Sequence, residues 1–339
     1  MGGTRRAFSP LRFRTVINLI RNETLKILRR KRFAIVIGIL VAILAVVSYA
    51  QYRQLKNRPE RNWRFDLQQR IANGQNFLRR TNGGGPWAKS VRAEISRLQF
   101  YLDHDIEPNK PTAPMFVRGF ANVAGILLLP LLVAVLGSDI VSAEASEGTD
   151  KLLLTRPVRR WKILASKLIT LWVFSSLTLL SGAVLAYVIA TPFLNPRGWT
   201  APIFNGFAAA TSGTFRPDVV RELPLWKDAL IVYGLDWYAM LVVASIALLL
   251  SVLFRSSAGA MGTMLAALIS GTILRLLASD WTSAKYLFVS ALPLADFYTG
   301  EPPPYEGMTM TFCIVLLGVW AIGAIIAAFA IFTKRDVFG

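Results

Sequence analysis

Residues 121–137 read ANVAGILLLPLLVAVLG, and residues 168–190 read LITLWVFSSLTLLSGAVLAYVIA. Apolar runs of this length are typical of helices that cross about 30 Å of hydrocarbon. Only 17% of the chain is charged, whereas soluble domains are about 25% charged. Six such spans are predicted, at 33–50, 120–137, 168–190, 229–254, 256–274 and 310–332. The expected fold is therefore an all-α polytopic membrane protein with six transmembrane helices.

The distribution of basic residues predicts the orientation of these spans. Nineteen Lys and Arg residues lie in 1–32, 138–167 and 333–339 and at Arg255. On the opposite side, the two shorter segments 191–228 and 275–309 together carry six Lys and Arg residues. The long segment 51–119 is left out of this count because long segments translocate largely regardless of charge. We therefore expect both termini in the cytoplasm and the chain in a cell membrane, of the bacterial plasma-membrane type. The net charge of +18 is explained by basic residues that orient the spans and contact anionic lipid headgroups, so nucleic-acid binding is not expected.

Three segments are expected outside the cytoplasm. Residues 51–119 form a predicted helical hairpin, because two stripes of apolar residues at helical spacing flank NGGGP at 82–86. The stripes are expected to pack against each other, and a substrate lid or a partner-docking surface is the alternative. Residues 191–228 are an outer loop. Residues 275–309, rich in aromatic side chains and proline, are expected to form a re-entrant or interfacial segment.

The sequence contains few of the catalytic, metal-binding or ionisable residues that a membrane enzyme or an ion-coupled carrier would need. The sequence contains no GxxxxGK[ST] phosphate loop, one histidine (His104) and one cysteine (Cys313). The chain is therefore expected neither to hydrolyse ATP nor to hold a zinc or cysteine-based metal site. Asp236 and Arg275 are the ionisable candidates within the spans, and both lie near predicted span ends. The fourth span begins at 229 if Asp236 is tolerated inside it, and otherwise near Trp237.

Two segments on the predicted cytoplasmic side carry unusual patterns. Residues 11–28, LRFRTVINLIRNETLKIL, form an amphipathic helix, and it is either a simple membrane anchor or a lever that touches a partner. In 138–167, the acids Asp139 and Glu144 begin a predicted acidic helical face, and an apolar patch at 152–154 follows. A solvated loop with positive-inside charges explains the arginines of this segment but not the patch. We predict an elbow of two short helices that displays charge and apolar surface to a partner.

The elbow also carries a family resemblance. The pattern DIVSAExxEGTxxLLLTRPVxRWxILxxK, from Asp139 to Lys167, resembles the signature of ABC-2 type transporter permeases, the membrane subunits of type-2 ABC exporters. The resemblance implies that the elbow is a coupling element that docks on a separate ATP-binding subunit. It implies coupling residues at Glu144, Glu147, Gly148, Thr149, Leu152, Leu153, Leu154, Arg156 and Pro157. It implies a connecting helix within 1–32, with interface residues at Phe13, Ile17, Ile20, Arg21 and Glu23.

The function implied by this resemblance is that of the permease subunit of an ATP-driven exporter. ATP and Mg²⁺ would be bound by the partner ATPase, and this chain would hold no cofactor. A second permease chain, identical or homologous, would complete the path, with membrane lipid around it and no nucleic acid involved. The alternative is a membrane sensor, scaffold or mechanotransmitting subunit that a partner ATPase drives without transport by this chain.

Overall fold

The computed structural model describes residues 10–57, 62–82, 88–107, 111–146, 159–205, 221–277, 281–301, 303–305 and 307–334. Its N-terminal helices are α1 (Pro10–Arg29), α2 (Arg32–Lys56), α3 (Trp63–Arg80), α4 (Ala88–Asp103), α5 (Ala113–Ala124), α6 (Leu128–Gly137) and α7 (Ser142–Ser146). The later elements are α8 (Arg160–Ala190), β1 (Pro202–Asn205), β2 (Arg221–Pro224), α9 (Leu225–Leu253), α10 (Ser257–Leu277), a 3₁₀ turn (Thr282–Tyr286), α11 (Phe288–Ala291), α12 (Leu294–Thr299) and α13 (Met310–Lys334).

Long apolar helices dominate the architecture. Helices α2, α8, α9, α10 and α13 are each long and apolar enough to cross a membrane, and α5 and α6 make a further crossing if the bent pair spans as one unit. The described part of the chain thus offers five or six membrane-crossing segments. The chain is a mainly helical polytopic membrane protein, and which end of its bundle faces the cytoplasm stays a prediction.

Hydrogen bonds define two ends of the bundle. At the end that we call the elbow end, the Ser251 hydroxyl accepts the backbone N–H groups of Val141 and Ser142 at 2.9 and 3.0 Å. At the other end, the backbone N–H of Ala113 donates to the carbonyl of Asn195 at 2.8 Å. Helices α3 and α4 connect α2 to α5 on this side, so we call it the hairpin end. Successive spans run alternately between the two ends.

The break between α5 and α6 lies before Pro130, although proline is the usual cause of a sharp kink in a helix. The two helices are bent by 63° at a break that comprises residues 125–127. Pro130 lies in the first turn of α6, where its missing N–H group costs little. Gly125, in the break, contacts Asp236 so closely that a Cβ at this position would overlap the carboxylate. The bend therefore makes room for the carboxyl group of Asp236 in α9, which the local sequence of α5 and α6 does not reveal.

At the hairpin end, α3 and α4 pack against each other through a small apolar cluster of Leu67, Ile71, Ile95 and Leu98. Between α8 and α9, β1 and β2 form a two-stranded antiparallel sheet in which Ile203 pairs with Leu223. This small sheet lies within the predicted outer loop, 191–228, and the fold as a whole is mainly helical. Strands of four residues are too short to produce a recognisable alternation of apolar and polar residues.

Several element boundaries also differ from the predictions. Helix α2 extends to Lys56, beyond the predicted end at 50, and α9 begins at Leu225 rather than 229. Asp236 therefore lies well inside α9. In the predicted re-entrant segment, Leu292, which follows α11, and Leu294, the first residue of α12, are fully buried in the main core cluster. This part of the segment is packed into the bundle, which is compatible with the re-entrant form of the prediction.

A glycine sets the distance between α10 and α11. A Cβ added at Gly271 would lie 2.5 Å from Cβ and Cγ1 of Val289, whereas at Gly262 of the same helix it would contact nothing within 4 Å. We predict that Gly271→Ala destabilises the fold by about 1–3 kcal/mol through overpacking. Gly262→Ala is the matched control and is expected to be neutral or slightly stabilising because alanine favours helix. Thermal unfolding of the detergent-solubilised variants measures both, and equal stability would contradict this close packing.

Candidate functional site

The candidate site lies at the elbow end, where α1 packs along α8 and α2. Along α1, Ile17 is 57% exposed and Arg21 is exposed, whereas Glu23 is only 4% exposed and Ile27 is buried. An acid buried on this helix needs a partner, since an isolated carboxylate in an apolar interior is strongly destabilising. The face of α1 that meets the bundle is therefore defined by charge as well as by apolar packing.

The partner of Glu23 is Lys167, which lies in the second turn of α8 and is fully buried. The Lys167 Nζ atom lies 3.0 Å from Glu23 Oε2 and 2.8 Å from Glu144 Oε1, and it donates to the carbonyl oxygen of Ile140 at 2.8 Å. An ammonium group has three N–H donors, and these three acceptors match them. The charge of Lys167 is thus fully compensated within the chain.

Lys26 completes the arrangement from the surface side of α1. Its Nζ atom lies 2.6 Å from Glu144 Oε1 and 2.9 Å from Glu23 Oε1. We call Glu23, Lys26, Glu144 and Lys167 the elbow cluster. Burial lowers the pKa of Lys26, but its hydrogen bond to Glu144 and the negative charges of Glu144 and Glu23 raise that pKa by more, so it lies above the ordinary lysine value. Two acids and two amines leave the elbow cluster with no net charge.

Two further contacts attach the elbow to the bundle. Arg32, at the start of α2, pairs with Asp139. Ser251, near the end of α9, accepts the backbone N–H groups at 141 and 142. The turn between α6 and α7 is therefore connected to α1, α2, α8 and α9 at once. Separation of these elements would leave buried charges without partners, which is strongly destabilising.

The structure brings together some of the residues predicted from the sequence. Glu144 and Glu23 meet in the elbow cluster, while Ile20 is half-buried on α1. The expected display of Asp139 and Glu144 on an open acidic face is wrong, since both are less than a tenth exposed and pair with bases of the chain's own N-terminal segment. Outside the described residues lie Glu147, Gly148, Thr149, Leu152, Leu153, Leu154, Arg156 and Pro157, as does the side chain of Phe13.

Sequence reasoning missed Lys167, Lys26 and Arg32 as members of this site. Lys167 is the last residue of the pattern that begins at Asp139, and a lysine seven residues into a long apolar helix is a usable signal. Such a residue is costly in an apolar setting unless an acid meets it. The position of that acid, on a helix more than a hundred residues earlier, could not be read from local periodicity.

A second group of charges lies toward the hairpin end. Arg118 pairs with the buried Asp228 at 2.8 Å, and Arg275 pairs with Asp296 at 2.6 Å. Asp236 is 2% exposed, and its Oδ2 atom makes no hydrogen bond within the described residues. The described parts of the chain contain no group of three His, Cys, Asp or Glu side chains arranged to hold a metal ion.

Comparison with known proteins places this chain in a family. The family model described as "Protein of unknown function (DUF2705)" matches residues 95–338, which include the elbow and the spans that follow it. A Bacillus subtilis (strain 168) protein described as "Uncharacterized protein YhcI" is 30% identical over 325 residues, which cover 95% of this chain and 99% of that protein. The "Uncharacterized membrane protein YdbK" of the same organism is 30% identical over 215 residues, which cover 62% of this chain and 78% of that protein.

The elbow cluster predicts a specific response to loss of its buried base. Lys167→Met removes the compensating charge of two buried carboxylates and is expected to destabilise the fold by about 3–5 kcal/mol. Lys162→Met, on the same helix and only partly buried, is the control and should change stability by less than about 1 kcal/mol. Unfolding of purified protein in mixed micelles measures both variants.

The same measurement extends to a double-mutant cycle. Because Glu23→Gln removes one of the acids that Lys167 neutralises, the double variant Glu23→Gln, Lys167→Met should be less destabilised than the sum of the single variants. Strict additivity of the two effects would show that these side chains do not interact, and would contradict the geometry of the elbow cluster.

Proposed function

This chain belongs to the family described as "Protein of unknown function (DUF2705)", and we propose that it is the permease subunit of an ATP-driven exporter of the ABC-2 type. In this proposal the elbow end faces the cytoplasm and the segment between α7 and α8 docks on a separate ATP-binding subunit. The resemblance of residues 139–167 to the ABC-2 pattern and the bias of basic residues toward one side support it.

The observation that carries the proposal is the elbow cluster. Glu144 lies in α7, before the segment between α7 and α8, and Lys167 lies in α8, after it; Lys167 Nζ and Glu144 Oε1 are 2.8 Å apart. The two helices that flank this segment are thereby held together, and the same two residues hold α1 through Glu23. A partner that pushes on this segment therefore acts on α1, α6 and α8 together, as a coupling device requires.

The mechanism is mechanical rather than covalent. The partner ATPase binds ATP and Mg²⁺, and closure of the partner subunits shifts the elbow and α1 as one unit. The displacement reaches α8 through Lys167 and α9 through the bonds of Ser251. Two permease chains, identical or homologous, surround the path, which changes its access between the two sides of the membrane.

A second candidate function uses the same device without transport by this chain. The α3–α4 hairpin has its own apolar cluster, so it is a discrete unit at the hairpin end that could receive force or a ligand. In that case the ATPase would drive a mechanical or signalling output. Substrate movement in reconstituted vesicles distinguishes the two functions, because only the exporter accumulates substrate on the side opposite its ATP-binding sites.

The docking proposal is tested by substituting one leucine in the elbow and, as a control, one leucine at the hairpin end. Leu153→Asp places a charge in the apolar patch and is expected to abolish co-purification of the proposed ATP-binding subunit, together with its ATPase activity. Leu277→Asp is the matched control, since Leu277 is an 80% exposed leucine at the hairpin end of α10, and it should retain both. Unchanged ATPase recovery with Leu153→Asp in well-folded protein contradicts the assignment of the elbow.

A further inference from the structure

Asp236 is a buried acid that the elbow cluster does not use. It lies well inside α9 and is 2% exposed, and its Oδ2 atom makes no hydrogen bond within the described residues. A carboxylate inside a span is strongly destabilising unless a positive charge or hydrogen-bond donors replace its water. Its environment must therefore be searched for the group that compensates this charge.

The two arginines that enter the bundle near the hairpin end do not compensate Asp236. Arg118 of α5 is held by the buried Asp228 at 2.8 Å. Arg275 of α10 is held by Asp296 at 2.6 Å. Asp236 takes part in neither pair, and it forms no other ion pair with the described residues. Since each arginine is neutralised by its own acid, these five side chains together have one negative charge in excess.

The carboxyl group of Asp236 lies against the break between α5 and α6. A Cβ added at Gly125 would lie 2.8 Å from its Oδ2 atom, so the backbone of the break approaches this oxygen closely. One turn earlier on α9, the Tyr233 hydroxyl donates to the carbonyl of Val117 in α5 at 3.1 Å. The two helices are thereby held side by side, and Asp236 faces the end of α5.

The end of α5 adds further oxygen atoms to this place. Helix α5 ends at Ala124, so the carbonyl groups of its last turn have no partner within the helix and carry the partial negative charge of a helix C-terminus. Asn122 lies three residues before Gly125, on a neighbouring turn. Its Oδ1 atom is buried and has no hydrogen-bond partner among the described residues. The carboxylate, the amide oxygen and the carbonyl oxygens are all acceptors, so they require a ligand that carries positive charge.

A cavity of about 1040 Å³ gives access to this place from the hairpin end. Residues of α3 and α4 line it, together with Arg118, Gly119 and Asn122 of α5. Asn122 therefore belongs both to the cavity and to the helix turn that precedes Gly125. An ion that reaches Asn122 is about 4.5 Å, measured along the helix axis, from the level of the contact between Gly125 and Asp236.

We propose that Asp236, Asn122 and the carbonyl groups that end α5 bind an alkali metal cation, which enters through this cavity. One positive charge is required, because the surrounding charged groups have one negative charge in excess. A metal ion fits better than a proton, since a proton joins only two acceptors, whereas a hard metal cation is coordinated by several oxygen atoms at once. The bound ion would fasten α5 to α9 at the bend. The proposal concerns binding by this chain and stands whether or not an ATPase drives transport.

The binding test uses the purified full chain in nanodiscs of zwitterionic lipid. The probe is radiolabelled Na⁺, and the competitors are unlabelled Na⁺, K⁺ and choline at equal ionic strength. Saturable binding of one Na⁺ per chain is expected, with competition by Na⁺ or K⁺ and none by choline. Which of the two metals competes more strongly identifies the preferred alkali cation. Equal competition by choline would show screening of surface charge and overturn the proposal.

Thermal unfolding distinguishes a metal ion from a proton. Replacing choline chloride by NaCl at constant pH should raise the unfolding midpoint of the wild-type chain, because the ion binds the folded state. The midpoint of Asp236→Asn should not respond. This variant keeps the shape of the side chain and removes an unpaired buried charge, so it is expected to fold. A wild-type chain with neither saturable Na⁺ binding nor a sodium-dependent midpoint would show that Asp236 is neutralised in another way, and the proposal would be wrong.

Variants locate the binding. Asp236→Asn is expected to abolish saturable Na⁺ binding, and Asn122→Ala to weaken it about tenfold through the loss of one neutral oxygen ligand. Asp103→Asn removes an exposed acid of α4 that does not line the cavity, and it should leave binding unchanged. If Asp236→Asn binds Na⁺ as the wild-type chain does, or if Asp103→Asn loses as much binding, the ion lies elsewhere and the assignment is wrong.

Discussion

The burial of Lys167 is the constraint on which the elbow end depends. A lysine ammonium with no solvent exposure is tolerated only where acids and carbonyl oxygens replace its water. Glu23 from α1, Glu144 from α7 and the carbonyl of Ile140 meet this requirement. These groups come from three separate elements, so α1, the elbow and α8 must all be in place before the charge is compensated.

This requirement gives α1 a defined position that its apolar residues alone would not impose. Ile17 and Leu28 are exposed on α1, whereas the acid of the helix faces inward, so the charged side chain fixes its rotation. The hairpin end is organised differently. There, α3 and α4 pack through their own cluster, and a cavity lies between them and the spans.

Features that depend on local periodicity could be predicted from the sequence, and features that depend on distant pairs could not. Apolar runs indicate the spans because membrane thickness fixes their length, and the stripe that includes Ile95 and Leu98 indicates the α3–α4 contact. The partners of Lys167 come from residues 23 and 144, and the bend at Gly125 depends on Asp236, so no local window contains either signal. The sequence analysis names Asp236 as an ionisable residue of the spans but does not predict its contact with Gly125, and it does not identify Lys167 as a buried base.

In-cell photo-crosslinking from the elbow tests most directly whether this chain transmits force from an ATPase. A benzoylphenylalanine crosslinker would be placed at Leu153 in the elbow and, in a second variant, at the exposed Phe77 of the hairpin. Mass spectrometry would then identify the captured proteins. The proposed function predicts capture of an ATP-binding subunit from Leu153 and none from Phe77. Capture from Phe77 alone, or from neither position in cells that contain the ATP-binding subunit, would contradict it.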